Sequence, residues 1–297
     1  MMIPIVRNIY IDPNTYRETP GITEVNLRNV KWYNNSMSYA FRNCYDLQSV
    51  TNINENVTNM SRTFYNCYGL VNAPVITNSV TNMSYTFMYC NNLVNAPVIP
   101  NSVTDMSGTF YYCSNLVNTP VIPNNVTNMR NTFYYCSNLV NTPVIPNNVT
   151  DMYYTFGFCR KLVNAPTIPN SVTNMYYTFY YCSNLVNTPI IPNSVTNMSG
   201  TFSYSNLVNA PVIPNSVTNM YYTFDGCMNF GGNIYVYSEN IVDATNCFNR
   251  TTLTKNVYIP FTYENGVNTL TYNSFINAGY DANATTDGVY LKDINQL

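Results

Sequence analysis

The chain has 297 residues, of which only 9% are charged; its formal net charge is −2 and it contains no histidine. It lacks the basic footprint needed to neutralise phosphates, so nucleic acid and anionic membrane are poor partners. No run reaches the ~18 apolar residues of a membrane span, which predicts no membrane insertion, and the first residues do not read as a secretory signal.

Residues 1–33 hold no complete repeat and are read as an N-terminal cap. Ile3, Ile5, Ile9 and Ile11, with Val6 and Tyr10, predict one or two strands interrupted by Pro4 and Pro13, and Thr23 to Lys31 alternates weakly. Beyond them Met37, Met60, Met83, Met106, Met129, Met152, Met175 and Met198 recur every 23 residues, and Met220 follows after 22. A fixed period of that length means stacked coils, each unable to bury its apolar face alone.

In the nine-copy array, residues 34–229, the first coil carries Ala40 where later copies carry Thr, and from Val57 the coils settle to Val-Thr-Asn-Met-x-x-Thr-Phe-x-x-Cys-x-x-Leu and then Val-Asn-Ala/Thr-Pro-Val/Ile-Ile-Pro-Asn. Met106, Phe110 and Cys113 stand at i, i+4 and i+7, which predicts a helical turn with one buried stripe, Ser107, Gly108, Tyr111 and Tyr112 projecting away from it. The half after Leu116 reads as a very short strand at Val121 and Ile122, because Pro120 cannot donate to a ladder. In the first coil the strand half, Leu47 to Ile53, is irregular in sequence. Around Met198 one residue is missing, which predicts an irregularity near Phe202 and Ser203 and a lost cysteine. The fold class is a repeat solenoid, leucine-rich-repeat-like, with a short parallel β-strand and a helical turn per coil.

Residues 230–297 read as degenerate repeats and a C-terminal cap. A strand is predicted after Gly231-Gly232, a worn coil at Ala244 and Phe248, a strand from Lys255 to Phe261, another strand half from Ser274 to Tyr280, and a closing segment at Val289-Tyr290-Leu291.

The cysteines run in single file without a Cys-x-x-Cys pair or a histidine, so they predict core packing rather than a metal site. Catalysis lacks a general base and a recurring acidic pair: Asp105 and Asp151 simply stand where other coils carry Asn. No cofactor and no metal are expected. The Asn72, Asn95, Asn118, Asn141, Asn164 and Asn187 column is expected to hydrogen-bond backbone groups of the turns.

The copies differ mainly at the two positions after Met and the two after Phe, where Tyr, Ser, Gly and Asn alternate. These residue types make antibody-like binding surfaces, large rigid rings beside small adaptable residues. The candidate binding residues are Tyr111, Tyr112, Tyr134, Tyr135, Tyr153, Tyr154, Tyr176, Tyr177, Tyr180, Tyr181, Tyr221 and Tyr222, with the group from Tyr153 to Tyr181 foremost. The plainer reading is that the rings shield and pack along the coils.

The Ile-Pro-Asn-Ser-Val-Thr and Ala/Thr-Phe-x-x-Cys elements resemble BspA-like leucine-rich repeats of bacterial surface antigens. The Val-Thr-Asn-Met-x-x-x-Phe-x-x-Cys-x-x-Leu core is similar to surface-protein repeats of mycoplasmas and gut bacteria. The resemblance implies a non-enzymatic extracellular adhesion or receptor-binding module whose partner is a cell-surface glycan or protein. The tail KNVYIPFTYENGVNTLTYNSFINAGY resembles closing segments of phage and prophage proteins, which implies a phage virion or a bacterial cell surface as the location. The alternative is a structural spacer or decoration protein, contacting other virion or surface-assembly subunits without a separate ligand.

Overall fold

Between Met83 and Leu93 the main-chain N–H groups alternate between two destinations. Those of Thr86, Met88 and Cys90 donate to carbonyls three residues back, while those of Met83, Tyr85, Phe87 and Tyr89 donate to Asp105, Ser107, Thr109 and Tyr111 of the next coil. A helix would send them all to the fourth residue back. The helical half of the coil is therefore a run of tight turns. A left-handed residue two places after Met and another two after Phe set them, as Tyr85 (φ 54°) and Tyr89 (φ 62°) do here.

The computed structural model describes residues 9–251, 253–262, 265–281, 283 and 287–297. The chain divides into two compact units, Met1–Leu139 and Val140–Leu297. In each, the pattern just described repeats from coil to coil, and the Met, Phe, Cys and Leu positions are completely buried. The phenyl rings form a ladder: in the first unit Phe41, Phe64, Phe87, Phe110 and Phe133 stack at 5.4 to 5.7 Å. In the second, Phe156, Phe179, Phe202, Phe224 and Phe248 stack at 5.7 to 5.8 Å.

The threonine and cysteine columns supply hydrogen bonds inside this core. Thr86 Oγ1 lies 2.9 Å from the Met60 carbonyl and 2.8 Å from that of Met83, and Cys90 Sγ donates to the Phe64 carbonyl at 3.1 Å. The cysteine is thus a donor to the preceding coil as well as a small apolar filler. All nine cysteines are free. Where the sequence loses a cysteine, Ser205 takes its place and its hydroxyl donates to the Phe179 carbonyl at 3.3 Å. The omitted residue therefore falls between Ser205 and Leu207, not at Phe202 and Ser203, which keep the regular turn bonds. Cys113→Ser is accordingly expected to fold, with a stability loss of about 1 kcal/mol or less, measured by urea unfolding.

The Asn or Asp before each Met carries the coil-to-coil backbone bridges: Asn59, Asn82, Asp105 and Asn128 in the first unit, and Asp151, Asn174, Asn197 and Asn219 in the second, where Asp243 before Ala244 continues them. Its Oδ1 accepts the N–H two residues on, as Asn82 does from Ser84 at 2.8 Å and Asp105 from Ser107 at 2.8 Å. The turn itself uses only an acceptor oxygen, so Asp can stand for Asn there, and Asp151 Oδ1 also accepts from Asn174 Nδ2 at 3.1 Å. The other column behaves differently from expectation. Asn72, Asn95, Asn118, Asn141, Asn164 and Asn187 are exposed, and Asn187 Nδ2 donates to Asn164 Oδ1 at 2.7 Å rather than to a turn carbonyl.

The proline-flanked half forms no strand among the described residues beyond isolated bridges such as Asn95 with Asn118. Pro120 and Pro123 remove donors on both sides of Val121 and Ile122, so no ladder grows there. The strands lie instead where those prolines are missing. Strand β1 (Ile9–Ile11) pairs in parallel with β3 (Val30–Trp32), and β2 (Glu24–Asn26) with β4 (Ser49–Thr51), of which β4 lies within the irregular half Leu47 to Ile53 and the other three precede the repeats. The strand residues expected at Ile3, Ile5 and Val6 lie outside the described residues. In the second unit β5 (Gly232–Tyr235), β6 (Lys255–Ile259) and β7 (Val289–Asp293) form a parallel sheet in that order.

The segment Ser274 to Tyr280 is not a strand. It lies mostly in helix α1 (Leu270–Asn277), capped by Thr269, whose Oγ1 accepts the Tyr272 N–H at 3.0 Å, and it buries Thr271 and Phe275 four residues apart. An aromatic group covers one end ring of each ladder. Tyr16 stacks on Phe41 at 5.3 Å, and Tyr280, whose hydroxyl accepts the Phe248 N–H, meets Phe248 at 5.6 Å.

Candidate tyrosine face

The two left-handed positions in each coil are the third position of a four-residue turn, which ordinarily takes glycine or asparagine. Some coils obey: Asn43, Asn66 and Asn131, and Gly108, Gly200 and Gly226, stand there. Most do not. Tyr85, Tyr89, Tyr112, Tyr135, Tyr154, Tyr177, Tyr181, Tyr204 and Tyr222 all hold positive φ, each at a cost of roughly 1–2 kcal/mol relative to an ordinary conformation. Stacking offsets part of it, at about 0.5–1.5 kcal/mol per ring pair.

In the first unit the rings of Tyr111 and Tyr134 stack at 4.8 Å and those of Tyr112 and Tyr135 at 4.2 Å with 4° between planes. In the second, Tyr153 stacks on Tyr176 at 5.2 Å and Tyr154 on Tyr177 at 5.0 Å, while Tyr180 stands edge-on to Tyr177 at 5.0 Å and to Tyr181 at 5.4 Å. Tyr221 and Tyr222 meet each other at 4.4 Å. The intervening coil carries Ser199 and Gly200 where rings would continue the columns. All twelve predicted tyrosines are half-buried.

Glycine has a definite task here. A Cβ on Gly108 would sit 2.3 Å from the Tyr85 ring, and one on Gly200 2.4 Å from the Tyr177 ring. Each glycine is a seat on which the ring of the preceding coil lies, which buries Ser107 and Gly108 instead of projecting them into solvent.

Burial and neighbouring phenols raise the Tyr177 hydroxyl to about 12, and burial likewise raises those of Tyr111, Tyr176 and Tyr180. At neutral pH the face is therefore a row of uncharged phenols, each able to donate and to accept a hydrogen bond. Because the rings stack face to face, the ladders present mainly ring edges and hydroxyls.

Several residues beyond the predicted set join the face. Tyr89 meets Tyr112 at 5.0 Å, Phe158 meets Tyr181 at 5.1 Å, and Tyr204 stacks on Tyr181 at 4.6 Å. Arg250 lies over the Tyr204 ring at 4.8 Å and pairs with the buried carboxylate of Asp225. Their position in the repeat, two after Phe for four of these five, was the available signal. A separate apolar ridge was missed altogether. Val75, Val98 and Val121 are 85 to 88% exposed while the isoleucine after each is buried, and Ile190 of the second unit is 90% exposed. Beside Ile190 a groove of about 470 Å³ runs between Pro189 and Val212, with Tyr237 at its edge. The flanking prolines keep these segments extended, so alternate side chains must face out.

Among the described residues no helix is long and apolar enough to cross a membrane, and no group of three or more acidic or cysteine side chains could hold a metal ion. Stacked coils bridged in parallel and filled by Leu, Met and Phe columns define a leucine-rich-repeat solenoid. The sequence profile of the BspA-type leucine-rich-repeat region matches residues 9–140 and 106–231 in six copies, and the chain belongs to that family.

Among solved structures, a leucine-rich repeat protein from Bacteroides ovatus is similar in fold, with a TM-score of 0.66 and 22% identity over 80% of this chain. The chain spans 63% of that protein, under two thirds of its length. The T. pallidum leucine-rich repeat protein matches at a TM-score of 0.45 and 22% identity, over 61% of this chain and 79% of its own. A leucine-rich cell surface protein from Faecalibacterium prausnitzii matches at 0.45 and 19%, over 88% and 86%. No curated protein matches the chain.

Proposed function

We propose that the protein is a non-enzymatic recognition module, displayed outside the cell, whose tyrosine face binds a host-surface glycan or protein. One observation carries this reading: tyrosine recurs at left-handed positions where glycine or asparagine would cost less and where neighbouring coils use them. A row of neutral phenol hydroxyls between small polar residues suits a ligand recognised by short-range hydrogen bonds and contact area rather than by charge. Membership of the BspA type, a family of surface proteins, supports display on a bacterial cell surface. Carriage on a phage particle rests on the resemblance of the tail alone.

A second reading is favoured by the stacking itself. With ring faces covered by one another, the ladders also serve a spacer that only shields its coils or packs against other subunits.

The two separate on a variant that the fold itself recommends. Tyr154→Gly, Tyr177→Gly and Tyr181→Gly together place at each site a residue that other coils carry in the same columns, so the melting temperature should stay within a few degrees. Binding to an array of uncharged glycans and of extracellular-matrix proteins free of sulfated saccharide should fall by roughly tenfold or more, the loss expected when aromatic anchors go. An intact chain that binds nothing, or a variant that binds as the parent does, refutes the recognition reading in favour of the spacer.

A further inference from the structure

Three of the chain's twelve lysine and arginine side chains converge on one ring. The guanidinium carbons of Arg17, Arg42 and Arg62 lie 5.9, 5.8 and 5.6 Å from the centroid of Tyr39, within the first unit. Arg42 also lies 5.4 Å from the Tyr65 ring and Arg62 4.8 Å from that of Tyr85. Rings attract these cations, but they carry no charge to balance them.

The acidic side is short. Glu18 pairs with Arg17 at 3.6 Å and also accepts from Asn43 Nδ2 at 3.1 Å. Among the described residues neither Arg42 nor Arg62 has an ion pair or donates a side-chain hydrogen bond, and Arg42 Nε is buried without a partner. A buried donor left unpaired costs about 1–3 kcal/mol, and more when it is charged. Arg62, moreover, holds φ 53°, a seat that Gly108 and Asn131 fill in later coils at less cost.

Two cations without counter-charges, one strained and one with an orphaned donor, call for an anion from outside. We propose that Arg42 and Arg62, assisted by Arg17, bind the oxyanion, sulfate or carboxylate, of an acidic saccharide. The planar guanidinium fork matches two oxygens of either group. Next to Arg42, Asn43 accepts from Asn66 Nδ2 at 2.9 Å, a bond that leaves the second amide hydrogen and the Oδ1 of Asn66 for a sugar hydroxyl. A peptide strand finds no edge there, because the N–H groups of Tyr39, Phe41 and Asn43 already donate to Ser61, Thr63 and Tyr65.

The site does not depend on the tyrosines of the second unit. The test uses the full chain and a sulfated chondroitin oligosaccharide, with its desulfated, carboxyl-reduced form and a poly-glutamate peptide as the other arms. The charged saccharide should bind, weakening as salt is raised, and its neutral form should bind at least roughly tenfold less well. Arg42→Tyr with Arg62→Asn, residues that the same columns carry elsewhere, should lose the binding and keep the melting temperature. Arg42→Lys with Arg62→Lys, which keeps the charge without the fork, should bind at an intermediate level. The Tyr154, Tyr177 and Tyr181 glycine variant should bind the saccharide like the parent. Equal binding of the neutral form, no binding of the charged one, unaltered binding by the double variants, or tighter binding of poly-glutamate overturns the proposal.

Discussion

Above about pH 8.5 the protein is expected to lose stability steeply and to unfold between roughly pH 9.5 and 10.5. Burial pushes up the thiols of Cys67, Cys90, Cys113, Cys182, Cys227 and Cys247, that of Cys227 to about 12. In the unfolded chain a thiol ionises near 8.5. The folded state therefore holds protons that the unfolded state has lost. Stability is fully present below about pH 8.5 and drains away as pH rises toward the folded values, at about 1.4 kcal/mol per pH unit for each thiol. Six of them together approach the whole stability of an ordinary domain within one to two units.

Lys255 acts in the opposite direction. Its ammonium is buried among Thr251 Oγ1, the Leu253 carbonyl and the Asp287 carbonyl, and burial lowers its pKa to about 8. Between about pH 8 and its unfolded value near 10.4 it adds stability. It is one group against six, so the thiols decide the sign. Urea unfolding from pH 8 to 11 under reducing conditions reads this slope, and Cys113→Ser with Cys182→Ser should lower it by about a third. A profile flat to pH 11 refutes the account.

Phe110→Ala should cost about 3–5 kcal/mol, the range for deleting a fully buried aromatic ring. Phe110 has no exposed surface and is held between Phe87 at 5.7 Å and Phe133 at 5.6 Å, so its removal opens a gap in the ladder, and Phe87 cannot fill it without leaving its own stack on Phe64 at 5.4 Å. Each coil is stabilised only through its neighbours, so the defect weakens both flanking contacts. The urea midpoint should fall sharply, and a far-UV signal lost at lower urea on one side of the gap would show the array splitting there. An unchanged midpoint refutes the expectation. Phe110→Leu, which refills most of the volume, should lose less.

The period and the identity of the buried columns were legible because burial follows side-chain spacing directly. The path of the backbone was not. Met, Phe and Cys at i, i+4 and i+7 fall on one side of a helix, and equally on one side of two successive four-residue turns. Gly108, Asn131 and Gly200 at one column, and Asn43, Asn66 and Gly226 at the other, are the turn residues that separate the two. They were visible in the copies but read as surface variation. The exposed valines were hidden by the opposite habit, since Val121 and Ile122 look alike in a pattern and only the prolines on either side dictate that one faces out. The tyrosines were singled out by position, yet the stacking of neighbouring rings depends on φ, which no spacing reports. The arginines around Tyr39 come from positions 17, 42 and 62, and only the stacking of coils brings them to one ring.

In the coils of regular length the bond to the next joins residue n to residue n+22 and the Thr and Cys side chains reach back 26 residues, and around the shortened coil the same bonds form over 21, 23 and 25 residues. Every internal coil is therefore both donor and acceptor in one fixed format. Unequal crossing-over between gene segments encoding such coils adds or removes whole units without leaving a mismatched junction. Such a step would change the number of coils, and within the first unit the distance from the arginine cluster to Tyr111 and Tyr134, while the chemistry of each coil stayed as it was.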